Sequence, residues 1–364
     1  MIYREYGQTG KKLSVVGFGG MRFGPDEDYG AQVVQRANSL GINYFDTAPF
    51  YCNDRSEDIF GKAFKNMPGQ YYVSTKSNVG KESTADQVRW RIENSLKRMG
   101  IDKINFFHMW CIMDLNQYDR VMAKGGPYEG ALKAKEEGLI DHLVFSTHCK
   151  GSDIRKIIED DVFEGVLLGY NVVNHAFRQE GVQAALENKL GIVTMNPLGG
   201  GLIPQHQDYF SLLKEREDET VSQAALRFNA AQEGITVVLA GMGTIEEVEE
   251  NVKIVDHPLT VSKEKVQEIR SKITESMDML CTACGYCNKC PQKINIPTYM
   301  EAYNLSILKD DQETKHRLNW LREQEKIKED DAKTDACVAC GICEELCTQK
   351  LPIIERLKEM SLKY

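Results

Sequence analysis

The chain has 364 residues, 42% hydrophobic and 27% charged, which suits one large packed domain with a smaller companion and excludes a disordered or fibrous protein. A formal charge of −9 and the lack of any long Lys/Arg run exclude a nucleic-acid backbone as the expected partner. No apolar stretch reaches the roughly 18 residues that a membrane helix needs, and the start, "MIYREYGQTGKK", has no apolar core of a secretory signal, so a cytoplasmic protein off the membrane is expected.

Eight short apolar runs rich in Val, Ile, Phe and Tyr read as strands: "SVVGFGGM", "INYFDTA", "YYVSTK", "INFFHMW", "HLVFSTH", "VLLGYNVV", "IVTMNPL" and "TVVLAG". Charged stretches with helical spacing lie between them, such as "STADQVRWRIENSLKRMG" and "GPYEGALKAKEEG", each ending in Gly. Strand and helix in alternation imply right-handed crossovers and a parallel sheet covered on both faces. Eight such units, with no GxGxxG turn after the first, predict a closed (β/α)8 TIM barrel over residues 1–275.

Chemistry in such barrels gathers at the C-terminal ends of the strands. The second run presents Asp46 and, five residues on, Tyr51; the third ends at Lys76 and the fourth presents His108. Singly, each has a bland reading as an ion pair, a half-buried edge residue or a satisfied core histidine. Together they form an acid–base set. A phenol titrates near 10, and a neighbouring ammonium favours its ionised form, so Lys76, held charged by Asp46, would tune Tyr51. His108 would share the hydrogen bond to a substrate oxygen while Tyr51 gives or takes a proton, which is carbonyl–alcohol chemistry. The loops after the last two strands, "NPLGGGL" and "AGMGTIEEVEEN", suit a phosphate: glycines let backbone N–H groups approach it, and a helix starting near Thr244 offers its positive end behind Gly241, Met242 and Gly243. Cys52, Cys111 and Cys149 also follow strand ends, but their irregular spacing reads as small buried residues.

From residue 276 to 364 the character changes to a small, mainly α-helical domain carrying two cysteine runs. The first is Cys281, Cys284, Cys287 and Cys290, followed by Pro291; the second is Cys337, Cys340, Cys343 and Cys347. Structural zinc usually joins two CxxC pairs set about 15 to 20 residues apart, whereas here the third and fourth thiols follow at once. That spacing predicts two [4Fe-4S] clusters. In two-cluster ferredoxins the last thiol of a run reaches across, which would join Cys347 to Cys281, Cys284 and Cys287, and Cys290 to the second set. Cys290 comes one residue early for the bacterial run, and Thr348 stands where Pro is usual.

With "FDTAPFY", "STK" and "FFH" on successive strands, residues 1–275 resemble the aldo-keto reductase family, and with the tail included the chain is similar to the bacterial subgroup with a C-terminal ferredoxin-type domain. The resemblance implies a nicotinamide cofactor and the tetrad Asp46, Tyr51, Lys76, His108. It places Ser146 and Thr147 on the nicotinamide amide, Leu198, Gly199, Gly200 and Gly201 on the pyrophosphate, and Glu250 with Asn251 on the adenine. Leu167 stands where many relatives have Gln, and Met195 where many have Tyr. Gly241 and Glu247 replace the Lys and Arg that grip a 2′-phosphate, so NADH is favoured over NADPH. The expected function is carbonyl–alcohol oxidoreduction on a small molecule. The clusters would serve electron transfer, with ferredoxin or another redox partner, or structure. Two other readings are a cluster-fed enzyme independent of nicotinamide and an electron-transfer module with an idle barrel.

Overall fold

The computed structural model describes residues 1–273, 279–328 and 331–364, and the expected domain boundary after residue 275 falls outside them. Two three-residue strands, β1 (Tyr3–Glu5) and β2 (Lys12–Ser14), pair antiparallel at the start of the chain. Then come β3 (Val16–Gly19), β4 (Tyr44–Asp46), β5 (Tyr72–Asn78), β6 (Ile104–Ile112), β7 (Ile140–Thr147), β8 (Gly165–Gly169), β9 (Gly191–Met195) and β10 (Ile235–Gly241). All eight expected runs are strands. They pair in parallel and in sequence order, and β10 closes the barrel between β9 and β3.

A helix follows each barrel strand. The helix Ala85–Met99 shows how the sequence sets its limits. Thr84 caps the amide of Gln87 while the Gln87 side chain caps Thr84 in return, and Gly100 stops the helix with φ of 63°, a conformation that Gly adopts without steric cost. Its buried residues Val88, Ile92, Ser95 and Met99 recur at helical spacing and face the sheet.

Inside the barrel, Tyr44, Phe106, Val144, Leu167, Val193 and Val237 fill the lumen with apolar side chains. Its N-terminal end is plugged by Tyr6, whose ring meets Phe106 edge-on with centroids 4.8 Å apart. The first residues of β8 and β9 are glycines because the plug leaves no room: a Cβ on Gly165 would stand 2.0 Å from the Tyr6 hydroxyl, and one on Gly191 2.4 Å from its ring.

The chain divides into two compact units, Met1–Pro197 with Arg216–Val261, and Leu198–Glu215 with Ser262–Tyr364. The second therefore holds a segment from between β9 and the helix Val221–Ala230, as well as the cysteine-rich end. Within it, the Ser262 amide and hydroxyl both donate to Glu215 at 3.1 Å, and Lys265 donates to the Leu212 carbonyl at 2.9 Å. Its helices include Ile296–Leu308, Asp311–Glu323 and Ile353–Lys363, packed around Tyr299, Met300, Leu318, Leu357 and Met360. Buried Asn304 pins the first cysteine run by exchanging both hydrogen bonds with the Cys281 backbone, at 2.7 and 2.8 Å. Among the described residues no helix is long and apolar enough to cross a membrane.

Candidate active site

Strand register brings the barrel's polar side chains together. Asp46, the last residue of β4, lies opposite Ser74 on β5, and Lys76 lies opposite His108 on β6. Ser74 and Lys76 are two apart and share a face, so all four point the same way. Lys76 forms an ion pair with Asp46 and donates to the Thr47 carbonyl at 2.7 Å. The Ser74 hydroxyl donates to Asp46 at 2.7 Å, so it accepts from His108 Nε2 at 2.9 Å. His108 Nε2 is thereby turned into this buried network. β6 runs four residues beyond His108, to Ile112.

Asp46, Lys76 and His108 are 2%, 1% and 0% exposed. Burial pushes the Asp46 carboxyl up and the Lys76 ammonium down, each opposed by the other's charge. Burial and then the Lys76 charge hold His108 well below the usual imidazole range. A lowered folded value means that near pH 6 the unfolded chain binds a proton the native ring refuses, so stability falls as pH drops through about 6.5. Native stability between pH 7.5 and 5.5 should therefore fall by up to about 1.4 kcal/mol per pH unit from this group, and His108→Gln should flatten that slope in urea melts. An unchanged slope would show that the ring is charged in the native state.

Tyr51 is half-buried, five residues past Asp46. Lys76 Nζ lies 5.3 Å from its ring centroid, and Trp110 meets it edge-on at 5.6 Å. Ser74 and Trp110 were absent from the sequence-derived set. For Ser74 the signal was available, since it stands two residues before Lys76.

At the end of β7 the Thr147 hydroxyl bonds to the Ile112 carbonyl at 2.9 Å. Ser146 is fully buried and its hydroxyl has no hydrogen-bond partner among the described residues, an orphan donor of the kind a carboxamide could satisfy. Leu167, its register partner on β8, is part of the apolar lumen, and Met195 packs against the same cluster. After β10, Thr244 caps the helix Ile245–Val252, and the Glu247 carboxylate accepts the Gly243 amide at 2.6 Å. A carboxylate thus already occupies a loop N–H that an anion would use. Glu250 bonds to the Thr220 hydroxyl at 2.6 Å, and Asn251 is buried. Leu198–Gly201 lies in the second unit, where Gly199, Gly200 and Gly201 have φ of 62°, 71° and 104°. Such a turn is open to glycine and strained for other residues.

In that second unit, Cys281, Cys284, Cys287 and Cys347 line one pocket, floored by Met300, Leu351 and Ile353. The pocket joins the last thiol of the second run to the first three of the first. Backbone amides of Ala283 and Leu351 donate to the sulfurs of Cys281 and Cys347 at 3.4 Å. The Thr348 hydroxyl lies 3.4 Å from the Cys284 sulfur. Burial, reinforced by the neighbouring thiols and opposed by backbone amides that donate to the sulfurs, pushes the Cys281 and Cys287 thiols up to about 12, and burial takes Cys343 to about 11. Cys290 and Cys337 stand at the edge of the apolar core, and Cys340 is exposed. Among the described residues, no three Cys, His, Asp or Glu side chains close around a single ion. Soft thiolates around one apolar-walled pocket fit an iron–sulfur cubane. Cys347→Ser should remove about four of about eight iron atoms and the same spectroscopic signal as Cys284→Ser. Loss of a different signal in the two variants would refute the shared pocket.

A closed barrel with this tetrad at one end defines an oxidoreductase scaffold, and the chain belongs to the aldo/keto reductase family, whose model matches residues 15–274. A 4Fe-4S dicluster domain matches residues 277–352. Among curated proteins, L-galactose dehydrogenase of Arabidopsis thaliana is 30% identical over 301 residues, covering 74% of this chain and 93% of that protein. D-threo-aldose 1-dehydrogenase of a Pseudomonas species is 23% identical over 259 residues, 60% of this chain and 78% of that one. The holo form of aldo-keto reductase AKR11C1 from Bacillus halodurans superposes with a TM-score of 0.64 at 23% identity, covering 75% of this chain and 96% of that chain.

Proposed function

We propose that the barrel interconverts a small carbonyl compound and its alcohol with Tyr51 as the general acid and base. One observation carries this reading: the buried Lys76 ammonium, anchored by Asp46, lies 5.3 Å from the centroid of the half-exposed Tyr51 ring. As a carbonyl oxygen gains charge, Tyr51 gives it a proton, and the adjacent ammonium stabilises the phenolate that remains. In oxidation Tyr51 takes the proton back. Asp46 keeps Lys76 charged and aimed, and Ser74 ties Asp46 to the neutral His108.

Nicotinamide, when bound, supplies or accepts the hydride. Ser146 and Thr147 would meet its amide, and Glu250 with Asn251 its adenine. Glu247 on the Gly243 amide favours NADH, because a carboxylate there repels a 2′-phosphate. The similarity to L-galactose dehydrogenase and D-threo-aldose 1-dehydrogenase makes aldoses the first substrates to try.

A second reading has the clusters feed the barrel electrons without nicotinamide, through ferredoxin or another redox partner. Leu167 and Met195 favour it, since they give the expected nicotinamide site an apolar wall. Anaerobic turnover of aldoses, ketones and aldehydes with NADH, NADPH and a reduced viologen separates the two. Turnover with NADH, at a higher kcat/KM than with NADPH, is the expected result. Turnover with the viologen alone would establish the second reading instead.

A further inference from the structure

Tyr51 is carried by a stretch of backbone that side chains avoid. Phe50, Cys52, Asn53 and Asp54 have φ of 73°, 53°, 57° and 64°, all in the left-handed region, and none is glycine. Asn and Asp tolerate this conformation; Phe and Cys do so at a steric cost that the surroundings must offset.

The offset comes from charged groups aimed at the turn. Arg98, on the helix Ala85–Met99, donates to the Asp54 backbone carbonyl and, at 2.7 Å, to the Asp54 carboxylate. That carboxylate also accepts the Phe50 amide at 3.2 Å, so one side chain ties together the residues on either side of Tyr51. Asp58 orients the guanidinium through bonds of 2.6 and 3.2 Å, and fully buried Glu57 lies 3.3 Å from it. From within the turn Arg55 reaches the carbonyls of Cys52 at 3.1 Å and Pro25 at 2.9 Å. The Phe50 ring lies under Lys81 Nζ at 3.8 Å. An ion pair between helices would explain the bonds to Asp58 and Glu57. It would not explain the two bonds that Arg98 sends into the turn itself.

We propose that Arg98 is a positioning residue for Tyr51: by gripping Asp54 it holds the left-handed turn 52–54 and so fixes the phenol beside Lys76. The proposal rests on the acid–base reading of Tyr51. Without the grip the turn relaxes toward ordinary backbone angles, the phenol moves off Lys76, and turnover falls while substrate binding persists. Cys52 reports on the turn independently, because its half-buried thiol donates to the Gly20 carbonyl at 3.4 Å and is freed when the turn opens.

The test uses the full-length, cluster-loaded protein as Arg98→Ala, Arg98→Lys and Asp54→Ala. Arg98→Ala should lower kcat at least about tenfold with KM within about twofold, since a displacement near 1 Å at a reacting group has effects of that order or larger. Iodoacetamide labelling of Cys52, read on its peptide by mass spectrometry, should speed up at least about fivefold as the local structure opens. Arg98→Lys should restore most of both. Asp54→Ala, a change at an exposed side chain, should move both in the same direction by less. A purely structural ion pair would lower stability and move neither the kcat/KM split nor the labelling rate. Unchanged Cys52 labelling in Arg98→Ala, or in Asp54→Ala where Arg98→Ala fails to fold, overturns the proposal. If Tyr51→Phe leaves turnover intact, the acid–base reading falls, and the positioning proposal falls with it even where labelling shows that Arg98 holds the turn.

Discussion

Tyr51→Phe should lower kcat by about a thousandfold and leave KM and thermal stability nearly unchanged. Removing a positioned general acid or base has effects of 10²–10⁴, and a thousandfold corresponds to about 4 kcal/mol of transition-state stabilisation. The substitution deletes one hydroxyl and keeps the ring, so the edge-on contact with Trp110 and the proximity to Lys76 persist. Steady-state kinetics on the best substrate, with melting curves of both proteins, give the check. A variant with more than about a tenth of the parent's kcat would remove Tyr51 from the chemistry.

Lys76→Met is expected to act on stability as well as activity. It leaves the Asp46 carboxylate buried with the Ser74 hydroxyl as its remaining side-chain donor among the described residues, and removing one member of a buried pair costs about 3–5 kcal/mol. The pH dependence has a definite sign. Burial already raises the Asp46 carboxyl, and losing the cation raises it further. Between the unfolded value and the raised folded value the native state holds a proton that the unfolded chain has lost, so stability falls as pH rises through that window. The deficit of Lys76→Met relative to the parent should therefore be largest at pH 8 and shrink toward pH 5, read from urea midpoints of both proteins. Adding Asp46→Leu should restore stability at pH 8 without restoring turnover, since an apolar replacement of a buried pair is often neutral or better. A single variant as stable as the parent at pH 8 would show that Asp46 and Lys76 are not a buried ionic pair.

The barrel strands could be read in the chain because parallel strands covered on both faces are continuous apolar runs. β1 and β2 could not, because "YRE" and "KLS" are three residues long and polar, and their role in carrying Tyr6 to the base depends on glycines about 160 to 190 residues away. Asp46, Lys76 and His108 were visible as polar interruptions of apolar runs. Ser74 shares the face of Lys76 by its spacing of two, but its role as the link from Asp46 to His108 emerges only when register sets it against Asp46. The direction of the His108 ring was hidden for the same reason. The left-handed turn after Tyr51 gave no warning either, because "YCND" contains no glycine to mark it.

The grouping of Leu198–Glu215 with Ser262–Tyr364 bears on how this protein can be dissected. The burial of His206 and the charges of Glu301, Lys309 and Arg317 act together on that imidazole, so the segment's electrostatic surroundings are supplied from beyond residue 300. A truncation after residue 274, where the aldo/keto reductase match ends, keeps Leu198–Glu215 and removes most of the compact unit to which that segment belongs. It leaves that segment without Glu301, Lys309 and Arg317, whose charges act on His206. Activity measured on such a fragment combines the loss of these neighbours with the loss of the clusters, so it does not by itself report what the clusters contribute.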